Sequence, residues 1–368
     1  MKVLLAIACA LCAAGTAAAQ SDNFNVYLRI DYASAEQTLE LYGGIAGRPA
    51  EIAALRGSQI ALSTTSFLAQ RPLDTPALER ALEAVKFNQD LGDDVFRMRE
   101  ARANVAAITE LLQESQRRNF GQKVVSTVAQ LFPPSARVST VIPVYFVAFG
   151  SQNIDAFVRR VVWRGDTPVF TGEGEGELTI VVNLAKCVNY GRTVDERFIG
   201  MLSVVAHEVF HAAFGVYKDG SPAWRAYYAG HRRPLDQLLD LAQNEGIAYY
   251  LTLIQSSRGR LPADGLERAR RSFADFNRNA AELEAPGTTF RRSEDIIRLS
   301  NTSGYWESYG AITGMIIARQ IDQSLGREAL METIASGPSD FFGKYATLMS
   351  RDSGIPALSP LVLQAAAR

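Results

Sequence analysis

Cysteine is scarce in this chain. Cys9, Cys12 and Cys187 are its three cysteines, and two of them fall in an N-terminal stretch that reads as a cleavable leader. A lone Cys187 excludes a disulfide framework and a cysteine-built metal site, so an apolar core must hold the fold. With 47% hydrophobic residues in 368, the material for that core is present. An excess of one charge is missing as well: 38 Lys and Arg face 39 Asp and Glu, and no basic block exceeds two or three residues. That excludes the electrostatic footprint of a nucleic-acid binder. Internal repeats and low-complexity tracts are absent. Histidine is rarest in its consequence, because only three occur, so any pattern among them carries weight.

Met1–Ala19 has one lysine, a run of small apolar residues, and Ala17-Ala18-Ala19 before Gln20. This is the pattern of a secretory signal peptide cleaved near Ala19, and it predicts a secreted or periplasmic protein. The run from Val3 to Cys12 falls short of the roughly 20 apolar residues that a membrane span needs. A lipoprotein acylated on Cys12, after Ala10-Leu11, is the alternative. After cleavage no integral membrane span is expected. Phe198–Tyr217 is apolar enough to raise the question, but no second segment would accompany it across a bilayer.

Phe24–Asp31 alternates as a short strand, Ser34–Tyr42 reads as a helix stopped by Gly43-Gly44, and helical spacing recurs over Glu51–Leu55, Thr75–Phe87 and Val95–Leu131. The period changes at Val141–Phe149, followed by strand-like Val158–Trp163, Pro168–Thr171 and Leu178–Leu184. The glycine-rich Thr171–Glu177 reads as a hairpin loop, since its glutamates would repel a phosphate. Helical segments resume from Thr193 to Met349. The expected class is α+β and mostly helical, with a small antiparallel sheet packed against a helix pair. The expected divisions are a leader (1–19), a mainly helical region (20–135), a region carrying the chemistry (136–352), and a loosely docked tail (353–368).

The sequence His207-Glu208-Val209-Phe210-His211 supplies that chemistry. On a helix, histidines four apart project from one face, one turn above each other, so both can reach one ion. Glu208 lies beside the first, where a carboxylate can take a proton from an activated water. Thr193 and Glu196 form a capping-box pattern at the start of the helix, and Gly215 stands where a stop is expected. Phe198, Met201, Val205, Phe210 and Phe214 make it an apolar element that would hold its ligands stiffly.

A catalytic zinc ordinarily takes three protein ligands and leaves a fourth position for water. A third histidine in the pattern HExxHxxGxxH is excluded, because Phe214 and Tyr217 occupy the required positions. Glu245 fits best, since it lies on an apolar stripe with Leu238, Leu241, Ala242 and Ala248, where a carboxylate needs a compensating charge. Gly246 beside it permits close helix approach. The competing readings are a salt bridge from Glu245 to Arg232 or Arg233, or ligation by His231, Asp236 or Asp240 instead.

These residues resemble the gluzincin group of zinc peptidases, in which HExxH on one helix is completed by a glutamate on a following helix. The resemblance covers about Leu178–Ile254. Within the group the chain is similar to uncharacterised secreted bacterial zinc peptidases that carry a glutamate-glycine-x-alanine element, as Glu245-Gly246-Ile247-Ala248 does here. The resemblance implies a Zn2+ cofactor, hydrolysis of peptide or protein substrates, and a zincin-like active-site helix pair. It also implies that Leu178–Leu184 is an edge strand for an extended substrate, and that Tyr305 or Tyr309 stabilises the oxyanion. A secreted zinc-binding scaffold without turnover, or a hydrolase of non-peptide amides or esters, would use the same ligands.

Overall fold

The computed structural model describes residues 23–45, 47–150, 155–171, 175–302 and 306–368. The expected leader, Cys12 and Tyr305 therefore lie outside the described residues, as do Gly172, Glu173 and Gly174 of the glycine-rich loop.

Five strands form one sheet: β1 (Phe24–Asp31), β2 (Val138–Val147), β3 (Ala156–Arg164), β4 (Thr167–Thr171) and β5 (Glu177–Asn183), in the order β1-β2-β5-β3-β4. The class is α+β and mostly helical, as expected. The sheet is mixed rather than antiparallel. β3 runs antiparallel to β4 and β5, but β1 is parallel to β2, and β2 to β5. Parallel neighbours need a long crossover, and between β1 and β2 the chain supplies one: α1 (Ala33–Tyr42), α2 (Pro49–Ala54), α3 (Arg56–Ala69), α4 (Thr75–Lys86), α5 (Met98–Ala103), α6 (Val105–Arg117) and α7 (Phe120–Ala129).

The expectation that Leu178–Leu184 forms an edge strand is overturned. β5 lies between β2 and β3, and the outer strands are β1 and β4. Thr179–Asn183 is buried without alternation, the mark of a strand covered on both faces.

The expected helical stretch Val95–Leu131 is three helices, broken at Asn104 and again at Asn119, whose φ of 52° is left-handed. Asparagine tolerates that conformation better than most residues. Helix α3 was not anticipated. Its serines and threonines favour other local structure, but Ile60, Ala61 and Leu62 are buried, and α3 packs on β2.

After β5 come α8 (Leu184–Cys187), α9 (Val194–Gly220), α10 (Pro222–Gly230), α11 (Pro234–Ser257), α12 (Gly265–Leu283), α13 (Phe290–Thr302), α14 (Tyr309–Leu325), α15 (Arg327–Ser336), α16 (Pro338–Arg351) and α17 (Pro360–Ala366). The Thr193–Glu196 capping box starts α9 as the sequence predicts. Gly215 does not end it. The helix runs on to Gly220, with Lys218 still buried, and stops where Ser221-Pro222 opens α10. Among the described residues α9 alone is long and apolar enough to cross a membrane. It packs against β2, β3 and β5 and against α6, α7 and α11. Phe198 meets Phe120, and Phe210 and Phe214 meet Phe132, the environment of a core helix.

Helices α11 and α14 cross with their backbones in contact. A Cβ on Gly314 would run into the carbonyl of Ala242, and one on Gly246 into the backbone of Gly314. This crossing holds α11, the helix that carries Glu245, closely against α14. At the C-terminus the expected loose tail is instead docked by α17, whose Val362, Ala365 and Ala366 are buried.

Candidate metal centre

His207 and His211 lie one turn apart on α9, with their Nε2 atoms 3.0 Å apart. From α11, Glu245 brings Oε2 to 3.2 Å from Nε2 of His211 and 3.7 Å from Nε2 of His207. The three side chains keep only 12–16% of their surface in solvent. Among the described residues these three form the one group of His, Cys, Asp or Glu whose ligand atoms converge closely enough for a metal ion.

The donor set fits zinc. With bonds of about 2.0–2.2 Å in a tetrahedron, ligand atoms stand roughly 3.3–3.6 Å apart, and the observed separations of 3.0–3.7 Å bracket that. Two imidazoles and one carboxylate are also the composition of catalytic sites that leave one position open.

Surrounding groups orient each ligand. Asn244 Oδ1 lies 3.1 Å from Nδ1 of His211, where it accepts an Nδ1 proton and aims Nε2 into the cluster. Tyr249 packs edge-on to the His207 ring at 5.2 Å. Asn301 on α13 donates from Nδ2 to Glu245 Oε1 at 2.6 Å.

Burial and the neighbouring His211 push His207 down to about 4. Burial works against the charge on Glu245, but His211 and His207 outweigh it and hold that carboxyl at about 2. For His211 burial is likewise opposed, and the charge and hydrogen bond of Glu245 bring it up to about 9. The cluster thus holds a buried carboxylate anion balanced by the His211 imidazolium, whose place a bound cation would take.

Glu208 faces β3. Its Oε2 accepts from the backbone N–H of Val158 at 3.2 Å. Burial pushes its carboxyl up to about 7; His211 opposes this, while Glu245 and Asp155 add to it. Nearby, the Tyr190 hydroxyl donates to Asp155 Oδ2.

The competing ligands are placed elsewhere. His231 stacks on Tyr227 with ring centres 4.2 Å apart, and its Nδ1 meets the Tyr227 carbonyl. Asp236 is held by Arg233, which also reaches Glu284, and Asp240 accepts from Lys218 and Tyr228. Among the described residues no arginine lies within ion-pair distance of Glu245. The structure does not bring Tyr309 to the cluster. Its hydroxyl donates to the Ile296 carbonyl at 2.6 Å, and burial raises its pKa among Arg292, Asp275 and Glu282. Sequence reasoning missed Asn244, Asn301 and the Val158 amide, because amide side chains and backbone groups leave no spacing signature.

The family model described as "Putative zinc dependent peptidase (DUF5700)" matches residues 51–354, and the chain belongs to this family. The matched span includes His207, Glu208, His211 and Glu245. No curated protein and no solved structure matches the chain.

Proposed function

We propose that this member of the zinc-dependent peptidase family hydrolyses peptide bonds at a gluzincin-type site, with His207, His211 and Glu245 as the ligands and Glu208 as the general base. The observation that carries the reading is the convergence of the two Nε2 atoms and Glu245 Oε2 within 3.0–3.7 Å, with Glu208 one residue along the same helix. Zinc bound there supplies Lewis acidity towards a peptide carbonyl and makes water more acidic.

The chain's own residues supply the rest. The Val158 amide fixes Glu208 through Oε2, which leaves Oε1 to take a proton from attacking water and hand it to the leaving amine. Burial on α9 excludes bulk water from the ligands and strengthens the field that they share. Tyr309, committed to Ile296, has no part in this assignment. The Met1–Ala19 pattern supports a secreted or periplasmic site of action.

The test is a peptidase assay on a mixed peptide pool, with metal content measured on the same samples. The proposal expects cleavage that a chelator abolishes and zinc restores. Cleavage indifferent to chelation would overturn it, as would a zinc-loaded chain that cleaves nothing.

A further inference from the structure

Arg159 stands on β3 next to Val158, the residue whose amide holds Glu208. Its guanidinium lies 3.9 Å from the centre of the Phe157 ring and 4.8 Å from that of Phe67 on α3. Phe170 of β4 completes the aromatic group, 6.5 Å from Phe67. Phe67 keeps 55% of its surface exposed, so the group opens to solvent.

Arg159 is half-buried, and burial lowers its pKa while the charge of Glu208 raises it. The Arg159 backbone adjoins the Val158 amide that holds Glu208. Among the described residues no carboxylate lies within ion-pair distance of Arg159. Its neighbours on the same sheet are matched: Arg29 reaches Glu177 at 3.4 Å, and Arg160 donates to the Gly176 carbonyl. The aromatic faces steady the guanidinium, and among the described residues its hydrogen-bonding fork meets no acceptor.

At this strand edge Glu208 takes the Val158 amide and Asp155 the Ala156 amide. β4 pairs with β3 only from Arg160 to Arg164, so among the described residues no strand lies beside the outer edge of Ala156–Arg159. A peptide lying over this end of β3 would meet Glu208 at Val158 and Arg159 one residue on.

We infer that Arg159, presented by Phe157 and Phe67, is a specificity-determining residue that binds a carboxylate of the substrate. The preferred substrate is a peptide with an anionic group close to the scissile bond and an apolar group beside it for the aromatic cluster. The carboxylate comes either from an aspartate or glutamate side chain or from the peptide's own C-terminus. This inference rests on the proposed peptidase reading and specifies its substrate class.

The experiment compares kcat/KM of the zinc-loaded full chain on matched peptides that carry Glu or Gln near the cleaved bond, each with a free or amidated C-terminus. Wild type is expected to favour the anionic member of one pair by roughly ten- to a hundred-fold, as a charge-assisted hydrogen bond allows. The pair that shows the preference identifies the source of the carboxylate. In Arg159→Gln that ratio falls to within about twofold of unity, and Arg159→Lys keeps part of it. Because the ratio is taken on one enzyme, any effect of the substitution on Glu208 cancels. Equal turnover of all the peptides by wild type overturns the inference, as does an Arg159→Gln variant whose ratio is unchanged. Either result leaves the peptidase reading standing. A zinc-loaded wild type that cleaves no peptide removes that reading, and this inference with it.

Discussion

The Asn301 side chain donates from Nδ2 to Oε1 of Glu245 at 2.6 Å, so the candidate third ligand is aimed by a helix that carries no ligand. The outer carboxylate oxygen is occupied, and Oε2 is turned towards the histidines. Asn301→Ala should weaken zinc affinity by about 10–100-fold, the usual effect of losing an outer partner. Asn301→Asp should weaken it further, because two carboxylates would then face each other. Competition with a chromophoric chelator checks both. An affinity equal to wild type in both variants would show that the contact does not orient the ligand.

Glu208→Gln should keep a full equivalent of zinc while peptide hydrolysis falls by about 10²–10⁴-fold, the range expected for a lost general base. The amide can still accept from the Val158 N–H, so the segment should stay in place. Metal analysis and turnover on the same preparation read the outcome. Turnover at the wild-type rate would refute the role.

Two glycines on helices should respond with opposite sign to the same substitution. Gly314→Ala drives a methyl group into the Ala242 carbonyl on α11. It should cost at least about 1–3 kcal/mol and reduce zinc binding through displacement of Glu245. Gly215→Ala, inside α9 with open space around its Cβ position, should stabilise by about 0.5–1 kcal/mol. Urea denaturation measures both, and a neutral Gly314→Ala would contradict the close crossing.

Lys218 pairs with Asp240 at 2.5 Å and lies 4.3 Å from the centre of the Trp224 ring. Removing the cation strands a carboxylate that is only 20% exposed. Lys218→Met should therefore cost about 3 kcal/mol, the low end for a broken buried pair, and adding Asp240→Asn should recover much of that loss. Denaturation of the two single variants and the double variant tests the coupling, and additive losses would argue against it.

The ligands could be read from the sequence because each rests on a local rule. Helical spacing put His207 and His211 on one face, and the apolar stripe of α11 made a carboxylate at Glu245 anomalous. The Thr193 capping box and the small residue Gly246 were legible for the same reason. What escaped depends on tertiary placement. Strand order decided that β5 is internal. Continued packing of α9 overrode the stop expected at Gly215. A tyrosine in a helix carries no sign of where its hydroxyl ends, and Tyr309 ends on Ile296.

The central claim is that three side chains from α9 and α11 share one zinc ion, and equilibrium zinc titration of the metal-free chain tests it most directly. Wild type should bind one tight equivalent. Glu245→Ala should lose more affinity than the roughly 10–100-fold expected for an outer partner such as Asn301. A Glu245→Ala chain that binds a full equivalent with wild-type affinity would contradict the account.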